Sequence, residues 1–298
     1  MFTNVTVISN VKDFTVEDTS SSPFAVYPDE SIIAEPRHSF CVRPTEVDDA
    51  ILHIINRTLF CTCALIMVQL REMGIEAEVS NVKHRLQRLC ESEFLQAYRF
   101  RLPNGGKSSN LVYRIAWRGA GYLKAQGTAV HMTTYLANIS EDPTAVKKIL
   151  SAAQFVIRTG VSLDSTQFCQ SVFVPSNDPS HKSEKIFRPQ TVLQTDNRTI
   201  FVEAVRQNEN WETDLLDKLA RMEKVCNAKQ TNIPILNPAL VLVAESTTHM
   251  QMLLRMMERK PISLPIYITA DPLIYATPKS CLYTLKSKKF WTSLLFAG

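Results

Sequence analysis

Glycine is the informative scarcity in this chain: 8 among 298 residues, five of them between Gly105 and Gly127, with only Gly160 and Gly298 beyond. Phosphate-cradling loops and dinucleotide fingerprints need clustered glycines so that backbone N–H groups can approach a pyrophosphate. P-loop NTPase, Rossmann dehydrogenase and protein kinase readings are therefore excluded over most of the chain. No apolar run reaches the roughly 18 residues that a membrane-spanning helix needs. The start, MFTNVTVISNVKDF, lacks a basic region followed by an apolar one and does not read as a secretion signal. The cysteines (Cys41, Cys61, Cys63, Cys90, Cys169, Cys226, Cys281) are odd in number and scattered. Cys61 and Cys63 stand C-x-C in an apolar run, and no C-x-x-C or His pair completes a zinc site. The expectation is reduced thiols in a cytoplasmic protein, with no metal pattern and no small-molecule pocket signature.

What is present is an ordinary balance of 45% hydrophobic and 21% charged residues and a net charge of +4, with chain enough for two domains. Charge divides it into zones: −4 over 1–42, +4 over 43–130 and +4 over 131–298. Residues 1–42 are acidic, polar and without helical period. They read as an extended arm or disordered leader, with a short strand at NVTVIS.

Over 43–130 the pattern is three helices and a hairpin. Thr45 caps the first, with Asp48 in the capping-box position. A second runs from about Cys63 to Met73 and stops at Gly74. Ser80 caps a third, with Val82, Leu86 and Leu89 on one face. FLQAYRFRL and SNLVYRIAW follow as strands around PNGGKS, a hairpin signal, and RGAGYLKAQG closes the unit as a short helix. That is the order of a winged helix-turn-helix, with the third helix as recognition helix and the hairpin as wing. From Val79 to Gly127 nine basic residues face two acidic ones, a local excess of +7. Duplex DNA binding needs cations to displace counterions and donors that reach base edges. The candidate DNA contacts are Lys83, His84, Arg85, Gln87, Arg88, Arg99, Arg101, Lys107 and Arg114. The plainer alternative is a solvated basic face.

Over 131–298 the order reads α-β-β-β-α-β-α-β, a mixed sheet flanked by helices. ALVLVAES is continuous apolar sequence, as in a strand buried on both faces, and LPIYITADPLIYAT reads as the next strand. The order matches the core of the restriction-endonuclease-like fold. That fold needs an acid at the start of the second strand and an acid and a lysine two residues apart on the third, holding Mg²⁺ and orienting water. Here Glu203 is the third-strand acid. Val205 stands where the lysine belongs, Gln190 replaces the second-strand acid, and Gln190 is a poor magnesium ligand. Asp196 is a weak substitute in the following turn, and Lys218 on the next helix could reach back as a migrated cation. The plainer alternative for Glu203 is a strand-end acid paired with Arg188 or Arg206.

Phe187-Arg188-Pro189-Gln190, Phe201-Val202-Glu203-Ala204 and Asp217-Lys218-Leu219, behind a winged helix, resemble the replication-relaxation family of plasmids and integrative elements. The resemblance covers about residues 43–260. It departs at Gln190, where the family has aspartate, and at Met222, where an aromatic often stands. It implies an α/β (α+β) protein with an N-terminal winged helix and a degenerate nuclease-like domain over 131–298. The implied function is binding of double-stranded DNA in the replication or transcription control of a mobile element, as a homodimer. Gln190, Glu203 and Lys218 are then vestigial catalytic positions. The alternatives are a Mg²⁺-dependent nuclease or nickase, the one reading that needs a cofactor, and a protein-interaction adaptor.

Overall fold

The computed structural model describes residues 22, 24–35, 43–101, 107–130, 142–174, 184–228, 230–260, 262–285 and 289–290. The expected NVTVIS strand, the tip of the PNGGKS hairpin and most of the SNDPSHKSEK loop lie outside them. The chain is a mixed α/β protein whose described strands form a four-stranded sheet, a seven-stranded sheet and a two-stranded ribbon. It divides into two units, Val26–Asp164 and Ser165–Gly298 together with Met1–Ala25.

The unit Val26–Asp164 opens with β1 (Ser31–Ala34) and α1 (Glu46–Thr58). Thr45 and Asp48 form the expected capping box, each side chain bonded to the other's backbone N–H. Ile51, Leu52, Ile54 and Ile55 of α1 are buried. A short strand, β2 (Cys61–Thr62), precedes α2 (Cys63–Glu72), which ends at Gly74 in the left-handed region (φ 76°). α3 (Val79–Glu91) buries Val82, Leu86 and Leu89. Its N-cap is Glu78, without a side-chain bond, so Ser80 lies inside the helix and is not its cap.

β3 (Leu95–Arg101) and β4 (Lys107–Ile115) pair antiparallel, β2 joins the far edge of β4 and β1 the far edge of β3. β2 was not legible because two residues carry no period. Within the stretch 1–42, expected as an extended arm or disordered leader, β1 is a paired strand: Ser31 to Ala34 pair with Arg101 to Tyr98. α4 (Trp117–Ala125) and α5 (Pro143–Arg158) complete the unit. α5 was expected to begin the second domain at 131–298. It belongs instead with the first, because its buried stripe, Val146, Ile149, Leu150 and Ala153, packs on α1 and α2. Lys147 of α5 is buried too, its ammonium on Glu30 Oε2 at 2.5 Å and over the rings of Tyr27 (5.2 Å) and Phe100 (4.8 Å).

The unit containing Ser165–Gly298 holds β5 (Thr166–Phe168), the ribbon β6 (Val172–Val174) and β7 (Glu184–Phe187), then β8 (Thr191–Gln194), β9 (Thr199–Ala204), α6 (Trp211–Cys226), β10 (Ala239–Ala244), α7 (Thr247–Glu258), β11 (Ile266–Ala270), α8 (Asp271–Ala276), β12 (Leu282–Thr284) and β13 (Lys289–Phe290). The sheet order is β13-β12-β11-β10-β9-β8-β5, with β9, β10 and β11 parallel and the other pairings antiparallel. All six residues of β10 are buried, as the continuous apolar run required. Leu215, Leu219 and Met222 of α6 and Met250, Leu253 and Met257 of α7 share a core with Phe201, Leu240, Leu242 and Ile268. LPIYITADPLIYAT is not one strand. It turns helical at Asp271, where Pro272 has no N–H to extend a ladder but suits a first helical turn.

Candidate functional site

In the unit Val26–Asp164 the burial of Val82, Leu86 and Leu89 forces the rest of α3 outward. Lys83, His84, Gln87 and Arg88 are all exposed, along with Ser80 and Asn81. The expected basic face does not survive intact, however. Arg85 Nη1 donates to Thr45 Oγ1 (2.8 Å) and to Asp48 Oδ1 (3.2 Å), tying α3 to the start of α1. Arg99 Nε donates to Glu35 Oε1 at 2.7 Å, the guanidinium of Arg114 lies 5.7 Å from the Tyr98 ring, and Arg118 lies over Phe94 and donates to Ser92 O. The +7 excess thus includes arginines engaged in the unit's own packing. Arg101 is exposed. The side chain of Lys107 lies outside the described residues. Sequence reasoning missed these arginine contacts because Asp48 and Glu35 sit on other elements.

In the other unit the structure brings Gln190, Glu203 and Lys218 together. Thr191 pairs with Val202, so Gln190 continues the register beside Glu203. Lys218, one helical turn beyond Asp214 on α6, donates from Nζ to Glu203 Oε1 at 2.5 Å. Gln190 Oε1 accepts the backbone N–H of Ala204 at 3.0 Å. Glu203 is 5% exposed, and its Oε2 has no hydrogen-bond partner among the described residues. Arg188 donates to Ser171 Oγ (2.9 and 2.7 Å). Asp196 stands in the turn before β9, at the opposite end of that strand from Glu203. Cys169 lies beside the cluster with positive φ (51°), and burial, eased by Arg188 and Lys218, pushes its thiol up to about 12.

This donor set does not fit a magnesium ion. One oxygen of the only carboxylate carries an ammonium, and the neighbouring amide oxygen is already bonded to backbone. Mg²⁺ demands several hard oxygen donors in near-octahedral array. Among the described residues, no group of three or more His, Cys, Asp or Glu side chains could hold a metal ion.

A buried polar set at the carboxyl ends of β9, β10 and β11 was not foreseen. Arg206, offered with Arg188 as an ion-pair partner for Glu203, is instead wholly buried and donates to Asp271 Oδ2 (2.8 Å) and to Val205 O (2.8 Å). Ser22 Oγ donates to the same carboxylate oxygen at 2.5 Å. His249 Nδ1 accepts from the N–H of Glu245 (3.3 Å), and its ring meets Trp211 edge-on at 4.7 Å. Burial, with Arg206 adding, pulls its pKa down to about 3. The one signal in the sequence was an arginine two residues past the end of the mainly apolar strand β9.

No helix among the described residues is long and apolar enough to cross a membrane. No family model matches this chain, and no curated protein or solved structure is significantly similar to it.

Proposed function

We propose that this chain binds double-stranded DNA through a winged helix-turn-helix spanning α1 to β4, with α3 as the recognition helix and the β3–β4 hairpin as the wing. Three features support the reading. The order helix, strand, two helices, hairpin, with β2 pairing onto β4, is that of winged helices. α3 presents an unbroken polar face on a helix firmly seated by three apolar residues and the Arg85–Asp48 pair. That face carries Lys83 and Arg88, and exposed Arg101 stands at the end of the wing strand β3. The exposed α3 face is the observation that carries the proposal. Lys83, His84, Gln87, Arg88, Arg101 and Lys107 are the contacts; Arg85, Arg99 and Arg114 hold the scaffold.

The other unit is, on this reading, a nuclease-like domain that has lost its chemistry. Three antiparallel strands followed by a helix and a parallel strand support the likeness, and the Lys218–Glu203 pair occupies the place of a metal site. Its role is DNA or partner contact, and the protein acts as a homodimer in replication or transcription control of a mobile element, in the cytoplasm.

Gel mobility shift at two salt concentrations tests the proposal. Wild type binds duplex DNA more weakly as salt rises, and a Lys83→Ala/Arg88→Ala variant with unchanged thermal unfolding loses most of the affinity. Salt-insensitive or absent binding by the wild type rejects it in favour of an interaction adaptor. Mg²⁺-dependent nicking of supercoiled DNA by the wild type, abolished in Glu203→Ala, rejects the loss of chemistry.

A further inference from the structure

The α3 face divides by chemistry. Ser80, His84 and Gln87 recur at spacings of four and three and lie opposite the buried stripe of Val82, Leu86 and Leu89. Lys83 and Arg88 fall on the two flanks of that outer stripe, one on each side. The apex of the helix therefore carries hydrogen-bonding groups and ends in the carboxylate of Glu91, and its shoulders carry long cationic ones. A helix seated in the major groove points its apex at base edges and its shoulders at the two phosphate backbones that border the groove.

Gln87 is further constrained. Its Nε2 donates to Glu91 Oε1 at 2.8 Å. A carboxylate accepts only, so the amide's NH₂ end is fixed towards Glu91. The second N–H and the carbonyl oxygen of this exposed side chain remain available. That is a donor and an acceptor side by side, the complement of adenine N7 and N6–H₂.

We infer that Gln87, oriented by Glu91, reads an adenine in the major groove with Ser80 and His84 beside it, while Lys83 and Arg88 hold phosphates and carry no sequence information. The inference rests on the DNA-binding reading above. Duplex DNA is the occupant because cationic flanks border a stripe of hydrogen-bonding side chains. Arg85 takes no part, its guanidinium being held by Thr45 and Asp48.

The test begins with unbiased selection of duplex sequences by the full-length wild type, followed by affinity measurements on the selected site and on single-base-pair variants of it. Gln87→Ala is expected to lower affinity for the selected site about 10- to 100-fold. It leaves affinity unchanged for the variant in which one A·T pair is replaced, so discrimination vanishes at that pair alone. Glu91→Ala reduces discrimination at the same pair. Lys83→Ala and Arg88→Ala lower affinity equally for all sequences, and each reduces the slope of log K against log salt by about 1. The inference is overturned if Gln87→Ala weakens every sequence alike, if Lys83→Ala changes which sequence is selected, or if the wild type binds with salt sensitivity but selects nothing. Absence of any salt-sensitive binding by the wild type would instead overturn the DNA-binding reading itself. All four side chains lie on the polar face of α3, and coincident thermal unfolding of the variants shows that the fold is retained.

Discussion

Removing Arg206 is the sharpest perturbation of the fold. Its guanidinium is wholly buried, as is Asp271, and the two meet at 2.8 Å, with further donation to Val205 O at 2.8 Å and a longer approach to Val243 O at 3.4 Å. Arg206→Met keeps much of the volume but leaves the Asp271 carboxylate in the interior without its guanidinium, while Ser22 Oγ still donates to it. Breaking one side of a buried ion pair costs about 3–5 kcal/mol, most of it the burden of an uncompensated charge. Asp271→Leu strands the guanidinium and costs a similar amount. The double variant removes both charges, so its cost should fall well below the sum, to about 1–2 kcal/mol for imperfect packing. For a unit of this size each kcal/mol moves Tm by about 2–4 °C, so each single variant should melt on the order of 10 °C lower. Urea unfolding of the four proteins gives the cycle directly. Two single variants each within about 1 kcal/mol of wild type, or a double variant equal to their sum, would refute the reasoning.

Two further outcomes follow from the packing. Gly119→Ala should destabilise by about 1–3 kcal/mol. A Cβ there would stand 2.2 Å from Phe94 O, a backbone atom that cannot move aside, whereas Gly121, with nothing within 4 Å, should be stabilised by alanine in the same denaturation assay. His249 stays neutral in the fold down to about pH 3, while the unfolded chain takes up the proton near pH 6.5. Its contribution is therefore complete above pH 6.5 and is lost towards pH 3, at about 1.4 kcal/mol per pH unit. His249→Gln should flatten that part of the Tm-against-pH curve, and a wild-type curve rising as pH falls over this range would contradict the assignment.

Much of the fold was legible because its elements carry strong local signals. The Thr45–Asp48 box, the Gly74 stop, the apolar stripe of α3 and the run of β10 each arise from a few neighbouring residues, and the structure holds each of them. β1, β2 and β5 were not legible, since strands of two to four residues complete no period. The helix at Asp271 was hidden because Ile, Tyr and Leu continue through it, and only Pro272 marked the change. At the candidate site, Glu203 and Lys218 were nameable from strand order and helix spacing. Their direct pairing was not, nor was the engagement of Arg85 and Arg99, because each depends on residues from another element.

The Ser22–Asp271 hydrogen bond spans 249 residues of chain. Its unit is written in two pieces, with the whole of Val26–Asp164 between them. During synthesis at about 5–20 residues per second, Ser22 therefore waits roughly 10–50 s for Asp271 to be made. The interrupting unit, by contrast, has every residue it needs well before then. The order of birth thus imposes an order of folding: the middle of the chain closes first, and Ser22 is among the last to find its place.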